Sequence, residues 1–129
     1  MKLLLDTHTA IWAVDAPKLL APRIIHLMTD PINEVYVSAV SIWEIAIKIA
    51  LRKREALPFS SADALFKFRE AGFELLKVNP EHAVAVESLP PLHADPFDRL
   101  IVAQALSEPM RLVSRDRHVA AYSDTVITW

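Results

Sequence analysis

The sequence predicts an α/β fold, a three-layer α/β/α sandwich built on a five-stranded parallel sheet. Three observations predict it. Short β-type runs alternate with longer helical runs along the chain, the order that yields parallel strands joined by crossover helices. The strand runs are apolar with little alternation, as strands buried on both faces are. Three of the six helical segments start at a proline, whose fixed φ suits a first turn.

The strands, in order, are KLLLD (Lys2 to Asp6), EVYVS (Glu34 to Ser38), ELLKV (Glu74 to Val78), RLVS (Arg111 to Ser114) and TVITW (Thr125 to Trp129). The third follows Gly72, a helix stop. Pro22 to Thr29 is the first helical segment, and Ser41 to Lys53 is a long, heavily apolar second. Ala62 to Ala71 carries Leu65, Phe66 and Phe68 among charges. Pro80 to Leu89, Pro96 to Ser107 and Arg115 to Tyr122 complete the helices. No linker, repeat or low-complexity tract divides the 129 residues, so residues 1–129 read as one domain with a real core.

Composition removes several function classes. The single glycine, Gly72, leaves no Gly-rich phosphate loop, which excludes Rossmann and P-loop binding in their usual forms. The absence of cysteine excludes disulfides, thiolate zinc sites and thiol catalysis, and fits a reducing cytoplasm. With 14 Lys+Arg against 16 Asp+Glu, the formal charge of −2 argues against nucleic-acid binding driven by bulk charge. The densest local basic run is LRKRE, Leu51 to Glu55, equally explained as a solvated helix end. MKLLLDT is too short for a signal peptide, and SIWEIAIKIALRK carries Glu44 and Lys48 inside its apolar stretch, so no membrane segment is expected. A soluble, cytoplasmic protein is the expectation.

In parallel sheets ligands bind beyond the carboxyl ends of the strands, and that gives four acids a common place. Asp6 closes the first strand, as the first polar residue of a loop or as a site residue. Glu44 stands one turn into the helix after the second strand, with almost no polar neighbour; Ser41-x-x-Glu44 also matches a capping box, and Glu44 with Lys48 a favourable helix pair. In HADPFDR, Asp95 reads as the N-cap before Pro96, whereas Asp98 is less explained by capping. Asp116 follows the fourth strand, where a first-turn charge also suits the helix dipole. Each has a local explanation, yet all four fall on one predicted edge.

Gathered carboxylates repel one another and take up protons unless a cation neutralises them. An all-oxygen donor set without cysteine selects Mg²⁺ or Mn²⁺ over zinc. Such ions keep positions open for phosphate oxygens, and one or two of them support phosphodiester cleavage by an activated water.

With these residues in view, the sequence resembles the PIN-domain ribonucleases, particularly the VapC-type toxins of bacterial and archaeal toxin–antitoxin pairs. The resemblance lies in LLLDTHTAIW, VSAVSIWEIAIK, HADPFDRLIVAQA and LVSRD, in family order and across nearly the whole chain. It implies that Asp6, Glu44 and Asp98 are the core metal-site acids, with Asp116 at the more variable fourth position. It places Ser114 where a small hydroxyl residue orients Asp6 or a metal-bound water. It also implies the five-stranded sheet, Mg²⁺ or Mn²⁺ dependence, an RNA substrate, a homodimer and a cognate antitoxin that inserts a C-terminal segment near the site.

Around this set Lys48 pairs with Glu44 or meets a phosphate, the pair being slightly favoured. Arg99 meets phosphate or the antitoxin, or covers the helix surface. His8 and His93 have no second histidine at metal-ligand spacing and are left unassigned. Trp12 and Trp43 are expected in the core rather than stacked on a base.

Two phosphate-handling folds with a similar start fit less well. A haloacid-dehalogenase-type phosphatase needs an aspartate two residues after the first, where His8 stands. A receiver domain needs an acidic pair after the first strand and its phosphoacceptor after the third, where the sequence offers a lone Asp6 and Asn79. The non-enzymatic alternative is a catalytically silent PIN-like module acting through antitoxin or operator complexes; all four acid positions are nevertheless filled.

Overall fold

The computed structural model describes residues 1–51 and 57–129. The basic run after Leu51, and the expected end of the second helical segment at Lys53, lie outside the described residues. The element order is β1 (Lys2–Leu5), α1 (Thr7–Asp15), a 3₁₀ turn (Pro17–Leu19), α2 (Pro22–Thr29), β2 (Glu34–Ser38), α3 (Ala39–Ala50) and α4 (Ser61–Glu70). Then follow β3 (Glu74–Leu76), α5 (Pro80–Ala85), a second 3₁₀ turn (Val86–Ser88), α6 (Pro96–Ser107), β4 (Arg111–Val113) and α7 (Arg117–Ala120).

All strand pairs are parallel, in the order β3-β2-β1-β4. The central strand β1 is fully buried at Leu3, Leu4 and Leu5, and the side-chain period of two splits them between two cores. Leu3 and Leu5 pack with Val35, Val37, Ile24, Ile45 and Phe68 on one face. Leu4 packs with Val40, Ile101, Val102, Leu112 and Val119 on the other. The expected α/β/α layering follows from this burial on both faces.

Pro22, Pro80 and Pro96 each open a helix as expected. Gly72 takes a positive φ of 83° after α4, where its N–H and that of Phe73 donate to the carbonyls of Arg69 and Phe68. This is a left-handed helix stop that suits a residue without Cβ.

Two expectations need correction. Among the described residues the sheet has four strands rather than five: of TVITW only Ile127 pairs, in a single parallel bridge to Val113. The last residues are drawn elsewhere, since Trp129 Nε1 donates to the Leu19 carbonyl at 3.2 Å and Arg23 donates to the Thr128 carbonyl. The residues after β1, to which the sequence reading assigns no helix, form the helix α1. Its signal is Asp6 itself, whose side chain accepts from the Thr9 N–H as an N-cap.

Candidate metal centre

Strand register creates the site. Leu5 of β1 lies opposite Val37 of β2 and Val113 of β4, so the residues that follow share one edge. Asp6 and Ser114 are therefore neighbours. The Asp6 N–H donates to the Val113 carbonyl at 3.1 Å, and the buried Ser114 hydroxyl donates to Asp6 Oδ2. Thr9 N–H donates to Oδ1 at 2.9 Å. Burial pushes the Asp6 carboxyl above its ordinary value, and the Ser114 and Thr9 hydrogen bonds offset this only in part.

Glu44 reaches the site from α3. That helix starts at Ala39 with Ser38 as N-cap, its hydroxyl accepting from the Val40 N–H at 3.0 Å. The capping box read from Ser41-x-x-Glu44 is thus not formed, because the helix begins earlier and both residues are buried in its interior. Thr7 Oγ1 donates to Glu44 Oε1 at 2.7 Å and lies 2.9 Å from Ser41 Oγ. Lys48 pairs with Glu44 Oε2 one turn on, which is the helix pair favoured from sequence.

HADPFDR supplies the rest. Asp95 Oδ1 accepts from the N–H groups of Phe97 and Asp98, at 2.8 and 3.2 Å, and so caps α6. Asp98, in the first turn, is left facing the edge. Its carboxyl is pushed up to about 6, first by burial; the His93 hydrogen bond opposes this, and the negative charges of Asp95, Asp6 and Glu44 add to it. Asp6 and Glu44 are thus both within electrostatic reach of Asp98. Asp116 caps α7, accepting from the His118 N–H at 2.7 Å. Burial raises its carboxyl, but the His118 N–H and ring together with the charge of His93 outweigh this and hold it below the ordinary range.

His93 joins this set. Its Nε2 lies 2.8 Å from Asp98 Oδ2 and 3.4 Å from Asp116 Oδ2, and its ring stacks on that of His118 with centroids 5.4 Å apart. One ligand atom from each of His93, Asp98 and Asp116 lies within 4.8 Å of the others. Asp6 and Glu44 do not enter that closest group. Asp6 lines the same cleft of about 540 Å³, together with Trp12 and Arg115, while Glu44, 2% exposed, does not line it.

Sequence reasoning missed two residues here. His93 is unassigned from sequence because its carboxylate partners come from the following helix and from the loop after β4, 23 residues on. Thr7 passed unnoticed because its partner Glu44 is 37 residues away. The Arg99 guanidinium donates to the carbonyls of Pro90 and Val86 and to the Tyr122 hydroxyl, at 3.1, 3.3 and 3.0 Å. The same hydroxyl accepts from the His93 N–H at 3.1 Å. Arg99 and Tyr122 thereby anchor the loop that carries His93. Trp12 is half-buried and packs at the core edge against Trp129, as well as lining the cleft. Trp43, expected in the core, is instead 53% exposed, with the Phe97 ring edge-on against it at 4.9 Å.

Crowded carboxylates, one pushed up by burial and by its acidic neighbours, form a site that a hard divalent cation would relieve. The carboxylate oxygens fit Mg²⁺ or Mn²⁺, and the open cleft leaves room for a phosphate. Among the described residues, no helix is long and apolar enough to cross a membrane.

No curated protein matches the chain in sequence. Its fold is similar to that of VapBC2 from Rickettsia felis bound to a DNA fragment from their promoter, at 16% identity and a TM-score of 0.68 over 100% of this chain and 98% of that one. FitAcB from Neisseria gonorrhoeae matches with 21% identity and a TM-score of 0.60, over 98% of this chain and 96% of that one. PAE2754 from Pyrobaculum aerophilum matches with 21% identity and a TM-score of 0.58, over 99% and 83% of the two chains. The PIN domain family matches residues 3–124, and the chain belongs to that family.

Proposed function

We propose that this chain is a metal-dependent endoribonuclease and the toxin of a VapBC-type toxin–antitoxin pair, acting as a homodimer in the cytoplasm. The observation that carries the reading is the meeting of Asp98 and Asp116 with Asp6 in one open cleft at the carboxyl edge of a PIN-domain sheet. Solved structures of similar fold are toxin–antitoxin complexes, including one from Klebsiella pneumoniae, and this supports an antitoxin partner.

In this reading Asp6, Glu44, Asp98 and Asp116 hold one or two Mg²⁺ or Mn²⁺ ions. The bound ion supplies Lewis-acid activation of water and neutralises phosphate charge. The chain's own residues do the positioning. Ser114 and the Thr9 N–H hold both oxygens of Asp6. Thr7 and Lys48 hold the two oxygens of Glu44, so that a buried carboxylate keeps a fixed orientation. Asp95 seats α6 and with it Asp98. Arg115, exposed at the cleft, offers a cation to the RNA backbone.

The experiment is cleavage of total cellular RNA by the purified chain, freed of any partner, with Mg²⁺ or Mn²⁺. Cleavage should stop on chelation, and Asp6→Ala or Asp98→Asn should lower it by about 10²–10⁴-fold, the loss expected when several kcal/mol of transition-state stabilisation is removed. Cleavage that survives chelator or Asp6→Ala would sink the proposal. Metal-independent binding of antitoxin without any cleavage would favour the silent module.

A further inference from the structure

We propose that His93 is itself a ligand of the ion, and that its nitrogen tilts the site towards Mn²⁺ over Mg²⁺. The inference rests on the metal-centred reading above and adds a residue that the four-acid set leaves out.

Neighbouring ligands of an octahedral ion with bonds of about 2.1 Å stand about 3 Å apart. His93 Nε2 lies 2.8 Å from Asp98 Oδ2 and 3.4 Å from Asp116 Oδ2, with all three atoms inside 4.8 Å. That is the spacing of three ligands on one face of an ion. Without metal, an Nε2–H on the same ring would be the donor that both carboxylates share, so the three atoms already converge on one point.

The ring is placed as a built ligand rather than as a surface group. The His93 backbone N–H is tied to Tyr122, Tyr122 accepts in turn from Arg99, and the His118 ring stacks on the imidazole. His93 is only 17% exposed, and the part it shows faces the cleft. As a ligand it binds through Nε2 in the neutral tautomer that carries its proton on Nδ1.

Magnesium takes oxygen donors almost exclusively, whereas imidazole favours first-row transition metals. A nitrogen beside two carboxylates therefore raises the affinity for Mn²⁺ more than that for Mg²⁺.

The test is Mn²⁺ binding to the purified chain, followed by titration and by pulsed electron paramagnetic resonance. Bound Mn²⁺ should show the ¹⁴N coupling of a directly ligated imidazole. His93→Gln should abolish that coupling and weaken Mn²⁺ by about tenfold or more while changing Mg²⁺ affinity little. His118→Gln should leave the coupling in place. Bound Mn²⁺ without nitrogen coupling in the unaltered chain would overturn the proposal, whatever the variants do, and so would coupling that persists in His93→Gln. Either result leaves RNA cleavage intact as a separate measurement. Nitrogen coupling without any cleavage would instead overturn the ribonuclease reading alone.

Discussion

Ser114, at the end of β4, donates its hydroxyl to Asp6 Oδ2, at the end of β1, across 108 residues of chain. Both are buried, and the pair follows from the register of Leu5 with Val113. Ser114→Ala leaves a buried carboxylate oxygen without its donor, which costs about 1–3 kcal/mol. Urea unfolding should show that loss, and RNA cleavage should fall with it. Ser114→Thr keeps the donor and should recover most of both; equal losses in the two variants would mean that packing, not the hydroxyl, matters.

Thr7 and Glu44 form the matching pair on the other flank. Thr7→Val keeps the volume but removes the donor to a glutamate that is 2% exposed, and is expected to cost about 1–3 kcal/mol. Thr7→Ser should cost much less. Because Glu44 then turns more freely, divalent-metal affinity measured by calorimetry should drop in Thr7→Val and hold in Thr7→Ser.

The raised carboxyls give the metal-free chain a pH dependence of known sign. Asp98 titrates at about 6 when folded and near 3.8 when unfolded, and Asp6 is raised as well. Between those values the folded state holds more protons, so stability falls as pH rises from about 4 to about 6. At about 1.4 kcal/mol per pH unit, Asp98 contributes at most about 3 kcal/mol to that fall. Asp116 is shifted the other way, and what it adds is lost only at lower pH. Urea midpoints across this window should decline, and Asp98→Asn should flatten the decline. Divalent metal, which needs the ionised form, should bind more tightly as pH rises through the same window.

Arg99 is expected to act through the loop before α6. Arg99→Ala removes donors to two carbonyls and to Tyr122, and should destabilise the chain by about 1–3 kcal/mol. Arg99→Lys should recover little of this, since a single ammonium cannot span the same acceptors. Hydrogen exchange should rise first in residues 89–94. An unchanged loop with reduced RNA binding would instead assign Arg99 to a phosphate.

Much of this architecture is legible locally. The apolar runs KLLL and EVYVS, the prolines at three helix starts and the Asp95–Pro96 cap are signals carried by neighbouring residues. The placing of four acids follows from one rule about parallel sheets. The capping box at Ser41 failed for a reason equally local in form but not in outcome: Ser38 offered an earlier cap, and burial drew Glu44 towards Thr7. TVITW has strand composition, yet pairing needs a free edge and a path, and the anchors of Trp129 and Arg23 leave it one bridge.

The sequence by itself determined the α/β class, the order of most elements, the helix caps and the candidate acids, because period, proline and capping act within a few residues. Only the tertiary structure decided the partners. Ser114 on Asp6, Thr7 on Glu44 and His93 between Asp98 and Asp116 depend on strand register and helix docking, which bring distant side chains within 3.5 Å. Hydrogen bonds are short-ranged in space but indifferent to separation along the chain, and that is why candidate acids can be named from sequence while their partners cannot.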